Sequence, residues 1–240
     1  MHPENLNHSS NDETPVFDPK ATNADAQDAS IQDGAIQDEA AQDGSADNAT
    51  AEIYGLLACL LRQSPNQEIL DWLSELEVEE SDVHAMSNAW FGLKQASQTA
   101  KIEDLEDEYQ DLFIGIGCGE VVPFSSWHIA GTLMEKPLVH IRQDLKRLGF
   151  ERQQDVREPE DNIAALLEVM SMLQSEGFDD QQSFFNAHIK PWFVSFCNAI
   201  EQAKSAQYYQ AVSRALRHFC LIEQTRYTQK SDGIEITNLK

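Results

Sequence analysis

From Thr50 to about Gln224 the apolar residues recur at intervals of three and four and almost never alternate, a pattern that can be buried only by helices. "TAEIYGLLACLLRQ" follows Thr50, a plausible N-cap, and breaks at Ser64-Pro65. The same period predicts helices over about 67–76, 82–99, 102–114, 126–134 and 137–148, the last closed by Gly149, which tolerates left-handed geometry. Another starts near Pro159 and fades at Gly177, with Pro159 at the first helical position. Two more cover about 190–204, opened by Pro191 with Trp192 packed beneath it, and 206–224. The expectation is an all-α, single globular domain of eight to ten helices.

Ahead of this the composition changes. Residues 1–50 hold 11 Asp or Glu against one Lys, and between Ala26 and Ser45 run "AQDAS", "IQDGA", "IQDEA" and "AQDGS", whose five-residue period closes neither a helix face nor a strand face. We therefore expect a disordered acidic extension over 1–48, a helical domain over 49–228 and a flexible tail over 229–240. The whole chain carries a formal charge of −24, which disfavours nucleic acid and anionic lipid and favours a cationic peptide. Cys59, Cys118, Cys197 and Cys220 form no CxxC pair and sit mostly in apolar helical runs, as reduced core thiols do. No apolar run reaches transmembrane length and no secretory leader opens the chain, so the expected compartment is the cytoplasm, without stable membrane insertion.

Three stretches could carry chemistry. "VREPEDNIAALLEVMSML" gathers Glu158, Glu160, Asp161 and Glu168; Ile163, Leu166, Leu167, Met170 and Leu173 share the core face of its helix, which leaves Asp161, Ala165, Glu168 and Met172 on the other. Dipole compensation accounts for one or two of those acids, and the rest suit a peptide with cationic and apolar parts. "EYQDLFIGIGCGEVVPFSSWH" has Gly115, Gly117 and Gly119, but these follow a helix and no Lys-Ser/Thr comes after, so a phosphate loop is a poor fit. Phe124 and Trp127 suggest an aromatic contact surface, while Ser125 or Ser126 near His128 lacks any orienting group or oxyanion motif. "HIKPWFVSF" is architectural, with His188 a hydrogen-bonded core or cap residue rather than a metal ligand. Catalytic residues, metal and cofactor are all expected to be absent.

Taken in order, these stretches resemble the TorD/DmsD/NarJ family of cytoplasmic chaperones that mature molybdenum-containing redox enzymes. "EYQDLFIG" looks like its E-Y-x-x-L-F-x-G segment, "PFSSWH" its Pro-aromatic-Ser segment, "EPEDNIA" its E-P-x-D-H signature and "HIKPW" its H-x-x-P-W segment, within a likeness covering about residues 50–225. The resemblance implies a TorD-like helical fold and recognition of the twin-arginine leader of an unfinished, apo-form precursor, held back from export until its cofactor is inserted. Carried over by motif position, Glu158, Pro159, Asp161 and Asn162, with Phe124, Ser126, Trp127 and His128, line or support that site. Asn162 replaces the family's usual histidine, and an amide cannot titrate. Carboxylates at the helix start would then await guanidinium groups. A monomer and a helix-exchanged homodimer are both compatible with this reading, and a helical adaptor unconnected with export, or a hydrolase, are the competing functions.

Overall fold

The computed structural model describes residues 37–81, 83–115, 119–151 and 157–232, with side chains from 48 to 229. Ten α-helices occupy the described residues: α1 Gln37–Arg62, α2 Gln67–Ser74, α3 Ala85–Thr99, α4 Ile102–Tyr109, α5 Ser125–Ala130, α6 Lys136–Leu148, α7 Ile163–Ser175, α8 Gln181–His188, α9 Phe193–Gln202 and α10 Tyr208–Asp232. A π-helical turn, Gln110–Ile114, continues α4. The all-α expectation holds: among the described residues there is no strand, only an isolated antiparallel bridge between Phe124 and Asn162. No described helix is long and apolar enough to cross a membrane.

The core follows from the helical period. Tyr54, Leu57, Ala58 and Leu61 of α1 are buried at the spacing of one helix face, and α7 is buried on most of its circumference, from Ile163 through Leu173. Ala165, Glu168 and Met172 keep the outer side expected of them, while Asp161 ahead of the helix is buried. Where α1 meets α7, the Ser171 hydroxyl donates to the Ala51 carbonyl at 2.8 Å. A Cβ on Gly55 would stand 3.3 Å from the same hydroxyl oxygen, so a small residue permits the approach. α10 packs along α3 and α9, and Trp192, Phe193 and Phe196 fill the interior beneath them.

Several expected boundaries move. α1 begins at Gln37, so Thr50 lies inside the helix rather than at its cap. Residues 1–36, which hold most of the expected acidic extension, lie outside the described residues, as do 233–240 of the expected tail. α7 begins at Ile163, not Pro159, because the Asn162 side chain accepts from the Ala164 N–H at 2.8 Å and caps it there. Pro191 sits in the turn before α9 instead of opening it, although Trp192 is buried as expected. α8 was not foreseen: its Gln-rich start offers only Phe184, Phe185 and His188 as buried residues, too few for a clear period. The single helix expected over 126–134 ends at Ala130, where Gly131 turns the chain at φ +80°.

Candidate functional site

The motif acids do their first work inside the fold. Glu108, buried at the end of α4, accepts from the N–H groups of Gln207, Tyr208 and Tyr209 at 2.7, 3.1 and 2.9 Å, capping α10 from a distant part of the chain. Tyr109 beside it donates to the Arg62 carbonyl at 2.5 Å, and burial pushes its pKa up to about 12. After the π-helical turn the chain doubles back so closely that a Cβ on Gly119 would collide with the Leu112 carbonyl oxygen. Glu120 can then accept from the Lys204 N–H at 2.6 Å and the Ser205 hydroxyl at 2.7 Å. That hydroxyl is the largest cause holding its pKa below the ordinary value. The glycine-rich stretch is thus a clamp on the α9–α10 connection, with no element of a phosphate loop in its described part; Gly117 and Cys118 lie outside the described residues.

The "EPEDN" and "PFSSW" segments are bound to each other. Ser125 N–H donates to the Asp161 carbonyl and Ile163 N–H to the Pro123 carbonyl, both at 2.9 Å. Asp161 is 1% exposed, and its carboxylate accepts from the Ser126 N–H at 3.0 Å in the first turn of α5. Consecutive residues therefore cap two different helices, Asp161 serving α5 and Asn162 serving α7, while the Asn162 amide also donates to Glu158 at 3.3 Å. The expectation that Asp161 stands on an outer face is corrected: it is covered by the α5 backbone. Glu160 and Glu168 do meet guanidinium groups, but those of Arg142 and Arg62 within the chain, at 2.9 and 2.7 Å from the respective Nε atoms.

Of the other expected site residues, Ser126 is fully buried, Phe124, His128 and Pro159 are partly covered, and Trp127 and Glu158 are exposed. His128 does not face Ser126. Its Nε2 lies 2.9 Å from the Val122 carbonyl, which can only accept, so Nε2 carries the hydrogen and Nδ1 is left to accept from the Ser195 hydroxyl at 3.0 Å. The ring stacks on Trp192 at a centroid distance of 5.2 Å, tying α5 to α9. A Ser126–His128 nucleophile and base pair is absent from this arrangement. His188 accords with its expectation: it is buried, with Nε2 2.7 Å from Asp144.

Burial is the largest cause holding both His128 and His188 below the ordinary imidazole pKa; the Val122 carbonyl and Asp144 respectively oppose it. The folded protein therefore resists protonation at these rings more than the unfolded chain does. The stability they contribute is complete above about pH 6.5 and is lost as pH falls from there toward the folded pKa values. A melting temperature that drops between about pH 7 and pH 5, with a smaller drop in His128→Gln, is the expected outcome.

A groove not anticipated from sequence lies between α5, α6 and α8, with a volume of about 800 Å³. Ile129, Ala130, Pro137 and Ile141 give it apolar walls, and Glu135, Asp144 and His188 supply polar atoms. Nearby in the chain Trp127, Ile129, Leu133, Met134 and Val139 are each 46% to 73% exposed, an unusual density of bare apolar side chains. Gly131-Thr132 followed by Pro137 was the available signal, since it interrupts the helical period and turns Leu133 and Met134 out onto a loop. Among the described residues no cluster of His, Cys, Asp or Glu could hold a metal ion. Cys197 and Cys220 are free and buried, and burial pushes the Cys197 thiol up to about 11, as expected of inert core thiols.

The described residues form a helical fold with an open, largely apolar groove between α5, α6 and α8. Residues 79–198, half of the chain and all three motif stretches, match the nitrate reductase delta subunit family, and the chain belongs to that family. It is similar to the chaperone protein TorD of Vibrio vulnificus strain YJ016, 25% identical over 199 residues, covering 72% of this chain and 92% of that one. TorD of Vibrio atlanticus strain LGP32 is 26% identical over 203 residues, covering 74% and 93%. A candidate redox enzyme maturation protein from Archaeoglobus fulgidus superposes with a TM-score of 0.49 at 20% identity, covering 80% of this chain and 98% of that one.

Proposed function

We propose that this chain is a cytoplasmic maturation chaperone that binds the twin-arginine leader of a molybdenum-enzyme precursor and holds the precursor back from export until its cofactor is in place. The observation that carries this reading is the groove between α5, α6 and α8 beside the exposed apolar residues from Trp127 to Val139. A leader presents two arginines and then a run of apolar residues, which is the complement of an apolar surface on a strongly acidic protein. Membership of the family and likeness to chaperones named TorD support the same reading.

The site so proposed keeps Trp127, Phe124 and Glu158 at or near the surface, with Asp161, Ser126 and His128 holding α5 in place and Asn162 capping α7 beside it. Titration calorimetry of the full chain with a synthetic leader of about 20 residues tests it. Saturable binding is expected, with the peptide recovered intact, and Ile129→Asp should weaken binding by about tenfold or more without lowering the melting temperature, because the residue is 47% exposed. Absence of binding by the wild-type chain, or steady cleavage of the peptide, would defeat the proposal.

A further inference from the structure

If the acids of the EPED segment are occupied within the fold, a twin-arginine peptide must find its counter-charge elsewhere. Asp161 caps α5, Glu158 accepts from the Asn162 amide at 3.3 Å and Glu160 holds Arg142, while Glu168 farther along α7 holds Arg62. Two carboxylates line the groove, and of these Asp144 has both oxygens engaged, one by His188 at 2.7 Å and the other by Arg147 at 3.3 Å. Glu135 differs. The Thr132 hydroxyl donates to its Oε1 at 2.9 Å, and its backbone N–H donates to the buried Ser126 hydroxyl at 3.3 Å. Oε2 has no hydrogen-bond partner among the described residues, and neither Lys136 nor His140, which line the same groove, pairs with it. One oxygen is held in position and the other is presented.

The residues just before it are also unusual. Met134 is the only non-glycine residue with positive φ among the described residues, at +60°, and it is 73% exposed, with Leu133 at 51%. A long side chain in left-handed geometry is disfavoured, and such geometry persists where neighbouring bonds over-determine it. Here the two bonds at Glu135 fix the loop, so that bare Leu133 and Met134 stand directly beside an oriented carboxylate. A flexible thioether suits apolar partners of varied sequence.

We infer that the α5–α6 loop, Leu133-Met134-Glu135, is the specificity element of the groove: Glu135 Oε2 accepts a leader guanidinium, and Met134 with Leu133 receives the first apolar residues after it. This rests on the proposed leader binding and assigns its charge recognition to a residue outside the EPED segment. The occupant is a peptide with arginine directly followed by apolar residues, matched by the oriented carboxylate, the adjacent bare apolar pair and the chain's formal charge of −24.

The test compares two synthetic leaders, one with Arg-Arg and one with Gln-Gln before the same apolar run, titrated against the full wild-type chain, Glu135→Gln and Met134→Asn. Glu135→Gln retains an oxygen for Thr132 and so preserves the loop, and Met134→Asn is chosen because asparagine tolerates left-handed geometry. The wild type should prefer the Arg-Arg leader by about tenfold to a hundredfold, and Glu135→Gln should abolish that preference while leaving Gln-Gln affinity unchanged. Met134→Asn should weaken both leaders in equal proportion at an unchanged or raised melting temperature. Retention of the Arg-Arg preference in Glu135→Gln would place the guanidinium elsewhere and overturn this assignment alone. Failure of the wild type to bind either leader would overturn it together with the leader-binding reading.

Discussion

Glu108→Ala should lower the folding stability by about 3–4 kcal/mol, the largest effect expected of any single substitution outside the apolar core. A single buried carboxylate accepts from three consecutive N–H groups at the start of α10, and its removal leaves the buried Tyr208 and Tyr209 donors without an acceptor at the positive end of a long helix. Hydrogen bonds to a charged group are worth about 1.5–3 kcal/mol each, but three sharing one acceptor do not add. The expected loss is a large share of a typical domain's stability of about 5–15 kcal/mol. It should be read as a fall in the urea midpoint with an unchanged slope. Glu120→Ala is the control. It removes a carboxylate from the same connection, but one exposed to water that can replace it, and should shift the midpoint far less. Equal shifts in the two variants would show that the buried cap carries no special weight.

Asp161→Ala should cost about 2–3 kcal/mol and weaken leader binding as well, and both effects share one cause. The carboxylate holds the first turn of α5 through the Ser126 N–H, and α5 carries Trp127 and Ile129 at the edge of the groove. Asp161→Asn retains one oxygen in the same place and should lose less than half as much stability. It should keep the wild-type preference for Arg-Arg over Gln-Gln leaders, because a residue 1% exposed under the α5 backbone is not placed to touch a guanidinium. If Asp161→Asn erased that preference while leaving stability intact, the carboxylate would be a direct ligand after all.

The amino-acid sequence by itself determined the helical class, most helix positions and the order of the motif stretches. These depend on local regularities: the three- and four-residue spacing of Tyr54, Leu57, Ala58 and Leu61, the proline after Ser64, and Gly149 where α6 ends with φ +81°. The sequence also singled out the acidic segment before α7, but not what its acids meet. Glu108 caps a helix about a hundred positions away, Asp161 caps one that precedes it by 35, and Glu160 and Glu168 pair with arginines of α6 and α1. A helical wheel ranks residues by their own helix and is blind to such partners, so it set Asp161 on an outer face. The groove was hidden for the same reason: α5, α6 and α8 border it from separate stretches of chain, and α8 has too few apolar residues to announce itself. Local spacing selects the helices because backbone geometry repeats within a few residues. Only packing decides which polar groups remain for a partner, because each buried N–H must find its acceptor wherever the folded chain brings one.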